Sequence, residues 1–507
     1  MSFIFESCKE AIRVAFLGFL LLAVGFLIQN ESINIFYTFK SAFVLLLGEY
    51  AFKFGECIVI NLPLIFMLNL VCKKTNSAFP LISAILGYFS FLVATMLFAP
   101  TGLDSTAYIS NNFLTSVFGL NGAGTRLPLN TGMIGSLIIA LITRYTYIRS
   151  RHNNMAYNNN YFDKDVFGIV YNVVLCLIAG IIVSFIYPFV FKETQALFSY
   201  ISKDLNDPVR IGIYGFLDRL FSILGIPNII RNPFYYTPLG GSYQVLNGQI
   251  ATGDVNIWQY TKDLSAGYQG AGRFVTPYYV INIFVIPMLY LGLYKSITNS
   301  KEKSKFLLLF ILISILSIVC GNPLPTELFL LFSVPLLLIV YMLFVGVIFG
   351  VLSYFNIYLG SNIVGMNAWS AMPGNLPDYL INLRNVYHLE TIRNIFIVGV
   401  ISCIIIFLFS YVYFRYLAID SASISTKEGF VNAIFDSVGG KENINSCTSG
   451  LFRVMIEVKY PEKIDIEKIK TLNVSRIFQS KEGVNIDVGS SAYIVAQVIN
   501  NNISNSH

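Results

Sequence analysis

The sequence predicts a polytopic α-helical membrane protein of about ten spans plus re-entrant hairpins, ending in a small C-terminal α/β domain of antiparallel sheet and helices. Three observations predict it. Charged residues are 12% of the 507 and hydrophobic residues 55%, where soluble domains average about 25% and about 45–50%. Mean hydropathy is +0.65, and 43 Phe and 31 Tyr add apolar surface that a soluble fold of this size has no means to hide. Composition then changes abruptly after Tyr416, from long apolar runs to short mixed segments.

A spanning helix needs about 20 mostly apolar residues. The runs that qualify are residues 11–28, 43–71 (interrupted by Lys53, Glu56 and Pro63), 79–98, 132–148 and 166–191. After a polar interval come residues 278–293, 306–320, 328–358 and 392–416. The 328–358 run exceeds one bilayer thickness and reads as a span plus an interfacial helix. The first run lacks a small-residue cleavage site before Gln29 and precedes many further spans, so it reads as an anchor rather than a signal peptide. Basic residues favour the cytoplasmic side. Arg144, Arg149, Arg151 and His152 close one span, and Lys301, Lys303 and Lys305 join two others, which assigns both loops to the cytoplasm; Lys73 and Lys74 are a weaker vote. Residues 192–277 and 360–391 are rich in Gly, Pro, Asn and aromatics without a strong helical period. They read either as extramembrane loops or as re-entrant hairpins lining a substrate site, since irregular backbone survives at membrane depth only under protein or in a water-filled cavity.

The net charge of +6 is small and spread over short loops, whereas nucleic-acid binding needs a concentrated basic face. The 7 cysteines form no CxxC, and the three histidines (His152, His388 and His507) are scattered, so neither a disulfide framework nor a metal site is expected. Gly119-Leu-Asn-Gly-Ala-Gly124 follows no strand and opens no helix, which argues against a nucleotide loop.

The expected domains are 1–418 in the membrane, a small polar linker at 419–426, and a soluble domain at 427–503, about the size of one compact domain. Within the last, residues 429–438 read as an amphipathic helix stopped by Gly439-Gly440. Residues 451–458 read as a strand, 465–472 as a helix, 474–478 and 484–488 as two strands, and 492–500 as a closing helix.

Several short segments, in order, resemble the sugar permeases of the bacterial phosphotransferase system, enzyme II of the glucose–maltose–N-acetylglucosamine type, with a membrane C domain fused to a B domain. Asn61-Leu-Pro-Leu-Ile-Phe66 and Asn130-Thr-Gly-Met-Ile-Gly135 are two of them. Phe216-Leu-Asp-Arg-Leu-Phe-Ser-Ile-Leu-Gly-Ile-Pro-Asn228, continuing to Asn232-Pro-Phe-Tyr-Tyr236, follows the family's run ending in GLHH. Gly272-Arg-Phe274, Cys320-Gly-Asn-Pro-Leu-Pro-Thr-Glu-Leu-Phe329 (where the family has GITEP), and Trp369-Ser-Ala371 through Asp378-Tyr-Leu380 complete the set. The resemblance implies a protein-phosphohistidine–sugar phosphotransferase in the bacterial cytoplasmic membrane, with its C-terminal domain in the cytoplasm. It further implies a homodimer in lipid with no cofactor, supplied by a separate A protein and the histidine carrier protein.

The departures fall on the chemistry. Pro227 and Asn228 stand at the family's histidine pair, and Leu324 at the first glutamate of GITEP. Glu327 matches the second glutamate and Arg219 an arginine upstream of the histidines, so the resemblance implies sugar contact by Arg219, Asn228 and Glu327. A structural ion pair or cap for Glu327, and a headgroup contact for Arg219, are the other readings. In the tail, Arg453 takes the place of the family's arginine, and Gly450 the place of its phosphate-carrying cysteine three residues earlier. Cys447 is the only thiol there. It is either a displaced phosphate carrier whose thiolate Arg453 would stabilise, or an unmodified surface thiol. Loss of these groups keeps a second function open, a phosphorylation-deficient sugar facilitator or sensor.

Overall fold

The computed structural model describes residues 9–29, 41–72, 79–109, 127–152, 164–244, 248, 250–262, 271–297, 300–361, 373–417, 427–450, 453–470, 472, 474, 476–480, 482–488 and 492–504. The linker at 419–426, the Gly119–Gly124 run, the Trp369–Ala371 segment, Lys73, Lys74 and His507 lie outside them. The chain divides into two compact units, one of Ser7–Asn282 with Val319–Phe396, the other holding Ile283–Ile318 and Ile397–His507.

The helices of the membrane sequence are α1 (Lys9–Gln29), α2 (Ala42–Ile60), α3 (Leu62–Cys72), α4 (Phe79–Phe98), α5 (Gly132–His152), α6 (Lys164–Ser202), α7 (Pro208–Ile223) and α8 (Asn228–Tyr236). A small hairpin, β1 (Ser242–Gln244) with β2 (Ile250–Thr252), precedes α9 (Asp254–Thr261). Then come α10 (Thr276–Ser296), α11 (Ser300–Cys320), α12 (Leu324–Ser333), α13 (Pro335–Tyr354), α14 (Leu376–Asn382) and α15 (Leu389–Leu417). Six of the described helices are long and apolar enough to cross a membrane, or seven spans if the bent pair α2–α3 counts as one. The protein is therefore a multi-pass membrane protein, but the count of about ten is not reached among the described residues. The reasons are local. The 43–71 run is a single pair bent by 59°, and the bend falls at Asn61, whose amide turns back onto the Cys57 carbonyl at 2.8 Å. The 328–358 run is split at Val334, leaving α12 short and α13 as the spanning piece. In α11 only Phe306–Cys320 is apolar.

The interval 192–277, expected to lack helical order, is largely helical. Helix α6 runs 39 residues, about 58 Å at 1.5 Å per residue, and carries its helix past the expected end at residue 191. Helix α7 starts at Pro208 behind Asp207, which caps it by accepting the Val209 N–H at 2.9 Å. Its buried face reads Ile211, Tyr214, Gly215, Asp218, Arg219, Ser222, a helical stripe that has taken two charges inward. It ends in a Schellman motif: Gly225 has φ +76°, Ile226 N–H bonds the Phe221 carbonyl at 2.9 Å, and Gly225 N–H bonds that of Ser222 at 3.0 Å, which satisfies carbonyls the helix would leave orphaned.

Helices α7 and α13 pack backbone to backbone. A Cβ on Gly346 would lie 2.8 Å from the Gly212 carbonyl, and one on Gly350 would lie 2.9 Å from that of Pro208. Gly346 and Gly350 are four apart, the small-residue spacing that lets membrane helices approach closely.

The C-terminal residues form α16 (Lys427–Ser437), β3 (Ile444–Ser449), β4 (Arg453–Val458), α17 (Ile466–Lys470), β5 (Arg476–Ser480), β6 (Gly483–Asp487) and α18 (Ala492–Ser504). The sheet is wholly antiparallel in the order β3-β4-β6-β5. Alternation in β4 buries Val454, Ile456 and Val458 in a core with Val431, Ile434, Phe435, Val495 and Ile499 from the helices. Strand β3, polar and short, went unread in the sequence; it is an edge strand, where such composition is common.

Gly346→Leu should lower stability by about 1–3 kcal/mol, the usual cost of forcing methylenes into a packed interface, and thermal unfolding in detergent reads it. An unshifted transition would mean that α7 and α13 separate freely.

Candidate functional site

The candidate site is a buried ion cluster built from four segments. Helix α7 supplies Asp218 and Arg219, α8 supplies Arg231, the start of α10 supplies Tyr278, and the first turn of α12 supplies Glu327. Arg219, Asp218 and Glu327 are fully buried and Arg231 nearly so.

The Arg219 guanidinium donates to Glu327 Oε1 at 2.9 Å, to the Tyr278 hydroxyl at 2.6 Å, and through Nε to Asp218 Oδ2 at 3.1 Å, with Nη2 on the same carboxylate oxygen. Tyr278 donates its hydroxyl proton to Asp218 Oδ2. The other Asp218 oxygen accepts from Arg231 Nε at 2.7 Å, and Arg231 Nη2 donates to Ser222 Oγ at 3.0 Å. Two guanidiniums thus face two carboxylates, and the four formal charges cancel. Cancellation is the condition for burying them, because desolvating an unpaired ion costs several kcal/mol. Glu327 also sits in the first turn of α12, where the helix dipole favours a negative charge. Its Oε2 has no hydrogen-bond partner, nor does Asn228 Oδ1 at the start of α8.

Turns bring the segments together. Leu224, at the end of α7, gives its carbonyl to Met133 N–H at 2.8 Å. Gly132 makes that approach possible: its φ is +52°, and a Cβ there would sit 2.4 Å from the Leu224 oxygen. The Asn130–Gly135 segment and the turn holding Pro227 and Asn228, far apart in sequence, are therefore neighbours. On the other side Gly321 (φ +68°) ends α11, and Asn322 Oδ1 accepts from Leu324 N at 3.1 Å to open α12.

Between the Pro227 turn and the Gly321–Leu324 turn lies a cavity of about 20 Å³, room for one water, bounded by Arg219, Ser222, Arg231, Tyr278, Asn322 and Leu324 among others. Its lining includes Arg219 and Pro227 but not Glu327 or Asn228. Glu327 reaches it only through Arg219. Sequence reading found Arg219 and Glu327 and the structure pairs them. It missed Asp218, Arg231 and Tyr278, although the placing of Asp218 on the same helical face as Ile211, Tyr214 and Ser222 was a legible signal. The Gly272-Arg-Phe274 segment serves architecture: Asp254 accepts Gly272 N–H at 2.8 Å and Phe274 N–H at 3.3 Å.

The tail geometry revises two expectations. Cys447 is not a surface thiol but a member of the buried core, and burial pushes its thiol up to about 12. Arg453 is not its neighbour. Cys447 pairs with Ile456 across the strands, so it faces the core with Ile456 and Val454, whereas Arg453, one residue out of phase, points to the opposite face. There Arg453 clasps Asp487 (2.5 and 3.2 Å) and lies 4.4 Å over the Phe478 ring. Gly450 sits in the β3–β4 turn, its N–H on the Arg453 carbonyl at 2.8 Å, and the nearest atom to a Cβ there would be 3.9 Å away. Among the described residues no group of three or more His, Cys, Asp or Glu is placed to hold a metal ion.

No family model matches the chain. Among curated proteins, the PTS system glucose-specific EIICBA component of Staphylococcus saprophyticus is 23% identical over 474 residues, covering 91% of this chain and 66% of that protein. The chain thus spans just under two thirds of that relative's length. The similarity supports, at the level of the phosphotransferase system, the kinship drawn from the motifs.

Two outcomes follow from the geometry. Asp218→Asn should destabilise the membrane sequence by about 3–5 kcal/mol, because it leaves two buried guanidiniums sharing one carboxylate. Adding Arg231→Gln should return part of that loss, and a double variant no more stable than the single one would show that the charges are not shared. In the tail, a thiol titrating near 12 is almost wholly protonated at pH 7–8. Alkylation of folded Cys447 should stay slow until the pH approaches that value, while Gly450→Cys should react at once. Fast labelling of native Cys447 at pH 8 would contradict its place in the core.

Proposed function

We propose that the chain is a sugar permease of the phosphotransferase enzyme II kind, working in the bacterial cytoplasmic membrane on a hexose or related sugar. The observation that carries this reading is the convergence of the turns at Gly225–Asn228 and Gly321–Leu324 on one charge-balanced cluster beside a cavity, with the Gly132 turn packed on the first of them. Each turn belongs to a segment that resembles the family, and charged groups within membrane sequence mark substrate paths. Arg219, Arg231, Tyr278 and Ser222 are the groups placed to bond sugar hydroxyls, and Glu327 and Asp218 hold the arginines in position. A sugar is larger than the cavity, so its entry requires the surrounding turns to separate.

In this reading residues 1–418 form the transport domain and 427–503 a cytoplasmic B domain. A separate A protein and the histidine carrier protein supply phosphate, and the transporter is a homodimer in the bilayer. Coupled phosphorylation would place the phosphoryl group on the tail. A second reading, transport or sensing without phosphorylation, is favoured by the core position of Cys447 and by Gly450, which has no nucleophile. Pro227 and Leu324 cannot move a proton, and acid–base help at the sugar hydroxyl is correspondingly reduced.

The test mixes the purified chain with the general phosphotransferase proteins, phosphoenolpyruvate and radiolabelled glucose, maltose or N-acetylglucosamine. Binding of one sugar is the result the permease reading expects; phosphate on the tail with it supports coupled phosphorylation, and little or none supports the second reading. Strong labelling that Cys447→Ser removes would restore the phosphorylating reading, and absence of binding to all three sugars would remove the permease reading.

A further inference from the structure

The cavity beside the ion cluster has a second support that neither the motifs nor the charges account for. Spanning helix α10 is not α-helical throughout: Val280–Val285 forms a π-helical stretch. Such stretches occur mostly as single turns inside α-helices, frequently at functional sites. The polar residue in this one is Asn282, fully buried. Its Nδ2 donates to the Gly321 carbonyl at 2.9 Å and to the Pro373 carbonyl at 3.1 Å, with the Gly374 carbonyl at 3.4 Å. Gly321 and Pro373 both line the cavity, and they come from turns fifty residues apart in the chain. One amide therefore ties together two pieces of cavity wall. The same helix start brings Tyr278 into the cluster, so the wall and the charges hang on adjoining turns of α10.

The backbone around this knot leaves little slack. Gly374 has φ +69°, and a Cβ on it would lie 2.4 Å from the Tyr278 carbonyl carbon and Tyr279 nitrogen. Beyond it, Asn375 caps α14 by accepting Asp378 N–H at 2.8 Å, and Asp378 Oδ2 accepts the Tyr279 hydroxyl at 2.9 Å. The Pro373–Gly374 turn is thus fixed on one side, and the Asn282 amide joins it to Gly321 on the other.

We propose that Asn282 is a positioning residue that sets the width of the sugar cavity, by bridging the Gly321 and Pro373 carbonyls from the π-helical turn of α10. It rests on the permease reading, since it takes the cavity to be the sugar site. In the sugar-bound site the amide still holds both turns, and the size of sugar accepted depends on how far apart it lets them stand.

The experiment measures binding of glucose, maltose and N-acetylglucosamine to the full-length chain by calorimetry, for wild type, Asn282→Ala and Asn282→Asp. Wild type should prefer one sugar with an affinity flat in pH. Asn282→Ala should bind it about tenfold more weakly, the scale of a lost buried hydrogen bond or two, and should discriminate less among the three. An aspartate donates only when protonated, and then through a single O–H, so Asn282→Asp should regain part of the affinity as the pH falls, which a merely structural role would not produce. Wild-type affinity and selectivity in a folded Asn282→Ala overturn the proposal, and so does an Asn282→Asp affinity that does not change with pH; the latter decides the matter if the alanine variant does not fold. Failure of the wild type to bind any of the three removes the permease reading instead.

Discussion

Burial of two arginines and two carboxylates within membrane sequence constrains everything around them. In a medium of low dielectric each ion must find opposite charge and hydrogen bonds, or the segment carrying it does not stay in place. Asp218 meets that demand for both arginines at once, one oxygen serving Arg219 and Tyr278 and the other Arg231. Its double use fixes the distance between α7 and α8, and so the tight Gly225 turn between them. Glu327 completes the balance from α12.

The glycines follow from that constraint. Gly132 and Gly225 lie where one segment must touch the end of α7, and Gly346 lies where α13 must touch its flank. In lipid no hydrophobic gain rewards helix contact, so close backbone approach and satisfied polar groups carry the association. The ion cluster supplies the polar part and the glycine seam the close approach, and both act on the same short helix.

The tail obeys a different rule. A sheet with one face on the core sorts its residues by parity alone. Cys447 and Arg453 are six apart in sequence and meet in the same hairpin, yet the pairing of Cys447 with Ile456 sends one inward and the other outward. Once inward, the thiol loses water and cation together, the two things that make a cysteine reactive. Arg453 is left to bond Asp487 across the sheet.

The sequence by itself determined the membrane character, the break in composition that starts the α/β tail, and most of its helices and strands, because hydrophobic period and length are local properties. It also determined that Arg219 and Glu327 are unusual, since charge inside apolar sequence is visible without a structure. What only the tertiary structure decided was the company they keep. Asp218 and Arg231 read as ordinary polar residues until α7 and α8 turned them inward. Asn282 lies inside the 278–293 apolar run, and only the π-helical turn aims its amide at Gly321 and Pro373. The side of the sheet on which Cys447 falls depended on β3, an edge strand too polar to be read as one, and on the register it adopts. Pairing across a hundred residues or across a hairpin is set by where backbones can approach, and that follows from packing, which no local pattern carries.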